Sequence, residues 1–122
     1  MTIEEKKDLL WSYRVAMAAV NRIRGELEKV RVDRERSKDP EMSKRLRELE
    51  NQLVEAECRR VDRYGGIMSD IETMPNEIYK LILSYRYLNG YTWGRMSEVT
   101  GYSVAHLHKI HVKALKSFRN EG

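Results

Sequence analysis

The sequence predicts an all-α protein, a long antiparallel helical hairpin over residues 1–74 followed by a three-helix helix-turn-helix domain over residues 75–122. Three observations carry that expectation. Apolar residues recur at alternating spacings of four and three through both N-terminal segments. The two prolines, Pro40 and Pro75, stand where one helix has to give way to the next. Capping side chains and glycines then cut the last third of the chain into three short helices.

The first helix is expected from Ile3 to about Arg36. Leu9, Tyr13, Ala16, Val20, Ile23, Leu27 and Val30 form the a/d seam of about three heptads, with Lys, Arg and Glu on the other faces. Its one glycine, Gly25, costs roughly 1 kcal/mol relative to alanine, which a seam of this length absorbs. Ser37-Lys38-Asp39-Pro40 supplies the break. Asp39 suits an N-cap, Pro40 the first helical position, and Glu41 complements the helix dipole. The second helix carries Met42, Leu46, Leu49, Leu53 and Ala56 at the same spacing, and its stripe then slides toward Val61 and Tyr64. So short a connection makes the two helices antiparallel neighbours. Gly65-Gly66 normally signals a helix end, but Ile67, Met68, Ile71 and Met74 resume the apolar pattern with no turn residues between. The helix is therefore expected to continue, kinked, to about Glu72. Pro75 then forces Met74 out of helical geometry and sets a boundary.

Beyond that boundary, Pro75-Asn76-Glu77 starts a helix carrying Ile78, Leu81, Ile82, Tyr85 and Leu88, which Asn89-Gly90 stops. Thr92 is the expected N-cap of a helix from Trp93 to about Val99, with Gly101 past its end. Ser103 caps the last helix, which runs to about Phe118 with Leu107, Ile110, Ala114 and Phe118 on one face. A helix of about eight residues, a tight turn and a longer capped helix is the helix-turn-helix layout.

Bulk properties narrow the class. The chain of 122 residues suffices for one compact domain or a small domain with a helical extension. It lacks the roughly 18 consecutive apolar residues of a membrane span, and its start, MTIEEKKDLLWSYR, lacks the apolar stretch of a secretory signal. The single cysteine, Cys58, has no second cysteine to pair with and reads as a small apolar helix residue. A cytoplasmic protein that makes no membrane contact is expected. The net charge is +4. Residues 1–74 hold sixteen basic and sixteen acidic side chains, whereas residues 75–122 hold seven basic and three acidic ones together with all three histidines. The excess thus lies at one end, which suits a polyanionic partner there.

The string from Tyr87 to Phe118 resembles region four of bacterial sigma factors. The likeness is carried by Arg86-Tyr87 at a helix end, Asn89-Gly90 in a turn, Thr92-Trp93 at a helix start, Gly101 in the next turn, Ser103 as a cap, and Ala114-Leu115 near the end. A narrower resemblance covers nearly the whole chain. A balanced-charge hairpin, a Met-Pro boundary and this C-terminal unit look like small phage and prophage proteins of the ArpU and RinA type. Tyr87-Leu88-Asn89-Gly90, Gly101-Tyr102-Ser103 and the run from Lys109 to Leu115 carry it. The resemblance implies transcriptional control of phage or prophage genes by a DNA-binding protein, with host RNA polymerase as a possible partner. It also implies that the residues following Ser103 enter the major groove.

The residues themselves fit that implication. If Leu107, Ile110, Ala114 and Phe118 face inward, then Val104, Ala105, His108, Lys109, Lys113 and Lys116 face outward, with His106 at the edge of that surface. Lys109 and His108 can donate to guanine O6 or N7, and Val104 and Ala105 can pack on thymine methyls. Lys113 and Lys116, with Thr92, Trp93 and Arg95 at the start of the preceding helix, are better placed for phosphates. Many region-four helices place charged residues directly after the cap, where this chain has Val104 and Ala105. That departure leaves few strong donors, so specificity is expected to need a dimer or a second DNA-bound protein.

Other constellations read as structural. His108 and His111 have helical ligand spacing, but no cysteine or carboxylate stands at ligand spacing beside them, and His106 cannot converge with His108. Neither a metal nor any other cofactor is expected, and His111 falls next to the core face. Trp93 is expected to pack the helix start and touch a phosphate. Tyr85, Tyr87, Tyr91 and Tyr102 read as core and turn packing. The hairpin leaves two readings open: a pair that buries its own seam, or a homodimerisation surface, with Trp11 and Tyr13 needing cover in either case. No nucleophile with a base, phosphate loop or isolated carboxylate pair appears, so an enzyme is not expected. The function expected is sequence-specific binding of double-stranded DNA. The rivals are a small terminase-like packaging protein, distinguished by assembly into large oligomers, and an interaction module that contacts RNA polymerase instead of DNA.

Overall fold

The computed structural model describes residues 1–120, and among them every regular element is helical. The elements are α1 (Ile3–Arg36), α2 (Pro40–Glu72), α3 (Glu77–Leu83, continuing as a π-helical turn Ser84–Leu88), α4 (Trp93–Thr100) and α5 (Val104–Ser117). The expected hairpin followed by shorter helices is what the chain forms. Its compact units divide at other places than Met74-Pro75. One consists of Val15–Asp62; the other joins Met1–Arg14 to the chain from Arg63 onward.

The Val15–Asp62 unit is the hairpin proper. Val20, Ile23 and Leu27 of α1 interlock with Leu46, Leu49 and Ala56 of α2, and Val30 and Leu53 cover the edges. The seam thus closes within one chain. A fully buried aliphatic side chain contributes about 1.5–3 kcal/mol, so this stripe outweighs the flanking ion pairs Arg31–Glu50 and Arg45–Glu26, which are half-exposed and worth at most about 1 kcal/mol each. At the hairpin turn the Asp39 carboxylate accepts from Glu41 N–H at 3.0 Å, as expected of the cap before Pro40. The stripe does not slide to Val61, which is 55% exposed, nor does Tyr64 become core. Cys58 likewise points outward.

The other unit gathers both ends of the hairpin helices around the three short ones. α1 opens with a reciprocal cap, Thr2 Oγ1 accepting from Glu5 N–H while Thr2 N–H donates to the Glu5 carboxylate. Those contacts hold the Glu5 carboxyl below the usual carboxylate range. Leu10 is fully buried and Leu9 only partly, so the seam runs through Leu10 where Leu9 was expected. α2 runs unbroken past Gly65 and Gly66 to Glu72, bringing Ile67 and Ile71 into one cluster with Leu10, Tyr13, Met74, Leu83, Tyr87, Leu88, Leu115 and Phe118. Asn76 caps α3 by accepting from Ile78 and Tyr79 N–H. Of the apolar positions expected on it, Ile82 is buried while Ile78 and Leu81 are 44% and 42% exposed, and Leu83 is buried in addition.

Two turns depend on left-handed glycines. Gly90 has φ 71°, and a Cβ there would fall 2.6 Å from the Arg14 guanidinium, whose Nη1 donates to Leu88 O. Gly101 has φ 79° with open space around it. A left-handed non-glycine residue costs roughly 1–2 kcal/mol. Gly101→Ala should therefore lose about that much in urea denaturation, and Gly90→Ala at least as much, because the Arg14 guanidinium must also shift aside. A loss near zero in either variant would refute the left-handed conformation at that glycine.

Candidate nucleic-acid interface

The helix-turn-helix is built by caps on both helices and a closely bonded turn. Thr92 Oγ1 accepts from Arg95 N–H at 3.1 Å and so starts α4. Gly101 ends it in the left-handed conformation, its N–H donating to Ser97 O. Inside the turn Ser97 Oγ donates to Tyr102 O, and Thr100 Oγ1 accepts from Tyr102 N–H while donating to Met96 O. Ser103 Oγ then accepts from His106 N–H at 3.1 Å and opens α5. With the backbone groups satisfied in this way, the turn fixes the angle of α5 against α4.

One stripe of α5 is locked inside. Leu107 and Ile110 pack with Met96 and Ile82 in a small core under the turn, and Ala114, Leu115 and Phe118 join the larger cluster. Opposite them, Ser103, Val104, Ala105, His106, His108, Lys109, Lys113 and Lys116 are all exposed. The outward edge expected from Val104 to Lys109 is therefore present, with Leu107 at 0% exposure as its anchor. Val112, 46% exposed, extends this surface by another turn and was missing from the expectation. Residues 103–117 contain three lysines and no acidic side chain. Nearby on α4, exposed Arg95 pairs with Glu98 at 3.1 Å, which offsets part of its charge.

Trp93 sits on the flank of this surface and is half-buried. His108 lies tilted against it at 4.2 Å between centroids, His111 meets it edge-on at 5.1 Å, and the Arg86 guanidinium stands 4.9 Å from its ring centroid. Arg86 also lies 5.6 Å from the Trp11 ring centroid and donates to Tyr91 O, so one arginine ties α1, the π-helical turn and α4 together. A cleft of about 450 Å³ opens here. Its lining includes Glu4 and Asp8 as well as Lys7 and Arg86, so its formal charges cancel and it is poorly suited to an anion. Packing accounts for Trp93 better than base stacking does.

Two buried polar groups support α5 from behind. Tyr87 Oη and His111 Nε2 are hydrogen-bonded at 2.7 Å, and both rings are out of solvent. Burial holds the His111 imidazole neutral, with its pKa pulled down to about 4, aided by the Lys7 and Arg86 charges. Burial likewise pushes the Tyr87 phenol up to about 12. The second group is Lys6, only 7% exposed, whose ammonium donates to Leu115 O at 2.9 Å and Lys116 O at 3.1 Å. A cation at the carbonyl end of α5 satisfies groups that the helix leaves unpaired and complements its dipole. The sequence held a signal for it: Lys6, Leu10 and Tyr13 continue the seam of α1 backward at spacings of four and three. Among the described residues, no three His, Cys, Asp or Glu side chains come together to hold a metal ion, and no helix is long and apolar enough to cross a membrane.

Comparison of the chain with family models, with curated proteins and with solved structures finds no match.

Proposed function

We propose that the protein binds double-stranded DNA by laying the outer face of α5 in the major groove. The observation that carries this reading is the pairing of a doubly capped helix-turn-helix with an exposed strip, Val104 to Lys116, that contains lysines and histidines and no acidic side chain. Lys109 and His108 stand over base edges in this docking. Lys113 and Lys116, the exposed N-cap Thr92 and the Arg95 side chain approach phosphates on either side. The resemblance of the sequence to sigma region four and to the ArpU and RinA type supports a role in transcriptional regulation of phage or prophage genes, with host RNA polymerase as a further partner. Because the hairpin seam is occupied within the chain, a homodimer would use the outer faces of the hairpin.

Binding of this kind is dominated by phosphate neutralisation and falls steeply with salt. The Lys109→Ala, Lys113→Ala double variant is expected to bind duplex DNA at least tenfold more weakly than wild type near physiological salt, and its salt slope should be shallower by about one. Both lysines are exposed, so thermal stability should be unchanged. Wild-type affinity in the double variant, across random and selected duplexes, would sink the docking model.

A further inference from the structure

The outward surface of α5 has an unusual composition for a base-reading helix. From Ser103 to Ser117 the chain contains no Asp, Glu, Asn, Gln or Arg. The carboxylates that accept from cytosine N4, the amides that pair with adenine and the arginine fork that pairs with guanine are therefore absent from it. The Ser103 hydroxyl oxygen is engaged by His106 N–H in the cap. What the helix offers instead is apolar surface. Val104 is 39% exposed, Ala105 is exposed beside it, and Val112 is 46% exposed two turns on. Residues 104, 108 and 112 fall on one line of the helix, and residues 105 and 109 on the neighbouring line. Neither valine belongs to a core cluster. Valine is also a poorer helix former than alanine or lysine, so these side chains bring no evident benefit to folding.

We infer that α5 selects its target mainly through the 5-methyl groups of thymine, with Val104 and Ala105 as the contacting side chains. The inference rests on the duplex docking proposed above. The thymine methyl is the apolar feature that a base-pair edge presents in the major groove, and it is matched here by exposed aliphatic side chains in the first helical turn. His108 and Lys109, one turn further along the same two lines, donate to thymine O4 or to guanine O6 and N7. The contacted strand is then rich in thymine and guanine, since the amino groups of adenine and cytosine would face donors.

The test uses the purified full chain and a randomised duplex library selected near physiological salt. The winning duplex is resynthesised with deoxyuridine at every thymidine, which removes the methyl groups and leaves the Watson–Crick pairing intact. Burying one methyl is worth about as much as one CH₂, so each contacted thymine should account for about fourfold in affinity. Val104→Ser, an exposed substitution, should bind the thymine duplex more weakly, with its salt slope unchanged, and lose much of the thymine–uracil difference, the remainder belonging to Ala105. Equal wild-type affinity for the two duplexes, with the lysine variant still impaired, overturns the methyl inference and leaves the docking model standing. A full thymine–uracil difference in Val104→Ser overturns it as well, because the effect would then come from DNA shape. Failure to bind any duplex overturns both.

Discussion

Phe118→Ala is expected to destabilise the unit that carries the helix-turn-helix by about 3–5 kcal/mol, the usual range for emptying a buried phenylalanine site. Phe118 is the only phenylalanine of the chain, is 0% exposed, and lies one residue past the end of α5. It packs in one cluster with Leu10 and Tyr13 of α1, Ile67 and Ile71 of α2, and Leu83, Leu88 and Leu115. Those neighbours come from helices held by their own caps and seams, so they cannot collapse into the space left behind. The cavity term therefore adds to the lost transfer energy. Urea denaturation followed by tryptophan fluorescence reads this unit specifically, since Trp11 and Trp93 both lie in it. A loss under 1 kcal/mol would mean that the chain end is frayed, and that α5 is not anchored as described.

That anchoring explains what was legible in the sequence. Local rules sufficed wherever a feature depends on residues close in the chain. Asp39, Thr92 and Ser103 cap the helices they precede, Gly101 ends α4, and the apolar run after Gly65-Gly66 carries α2 to Glu72. The outward edge of α5 followed from its period alone. Features that depend on a distant partner were read less well. A boundary at Met74-Pro75 is a fair reading of the local backbone, yet the N-terminal turns of α1 and the last turns of α2 supply Leu10, Tyr13, Ile67 and Ile71 to the larger core. Lys6 looks like a surface lysine until the carbonyl end of α5 is placed against it. Ile78, Leu81 and Ile82 read together as apolar positions of one helix, yet only Ile82 of the three is buried, with Leu83 beside it; beyond them the helix widens into a π-helical turn, Asn89 N–H reaching back to Ser84 O, and Tyr87 and Leu88 are both buried. An extra residue in a helical turn shifts every later side chain around the axis. No local pattern announces it.

The Tyr87–His111 pair makes the same unit sensitive to acid, and the sign follows from the direction of the shift. In the unfolded chain a histidine takes up a proton near pH 6.5; in the folded protein burial delays His111 to about pH 4. Above pH 6.5 both states are neutral, and the site adds no pH dependence. As the pH falls from 6.5 to 4 the unfolded state binds a proton that the folded state refuses, so stability is lost, by about 2 kcal/mol at pH 5 and about 3 kcal/mol once both states are protonated. Carboxylates titrate in the lower part of the same range, so the measurement is a difference. The Tyr87→Phe, His111→Phe double variant replaces both partners by apolar rings of similar shape and leaves no buried polar atom behind. Its stability should fall less steeply than wild type between pH 6.5 and 4.5, with the two curves parallel above pH 7. Parallel curves throughout would show that His111 takes up its proton as readily in the folded protein as in the unfolded chain, so that burial does not hold it neutral. The consequence reaches the interface: His111 meets Trp93 edge-on, and Trp93 supports exposed His108. Acid loosening behind α5 should thus weaken the proposed duplex binding in the wild type more than in the double variant.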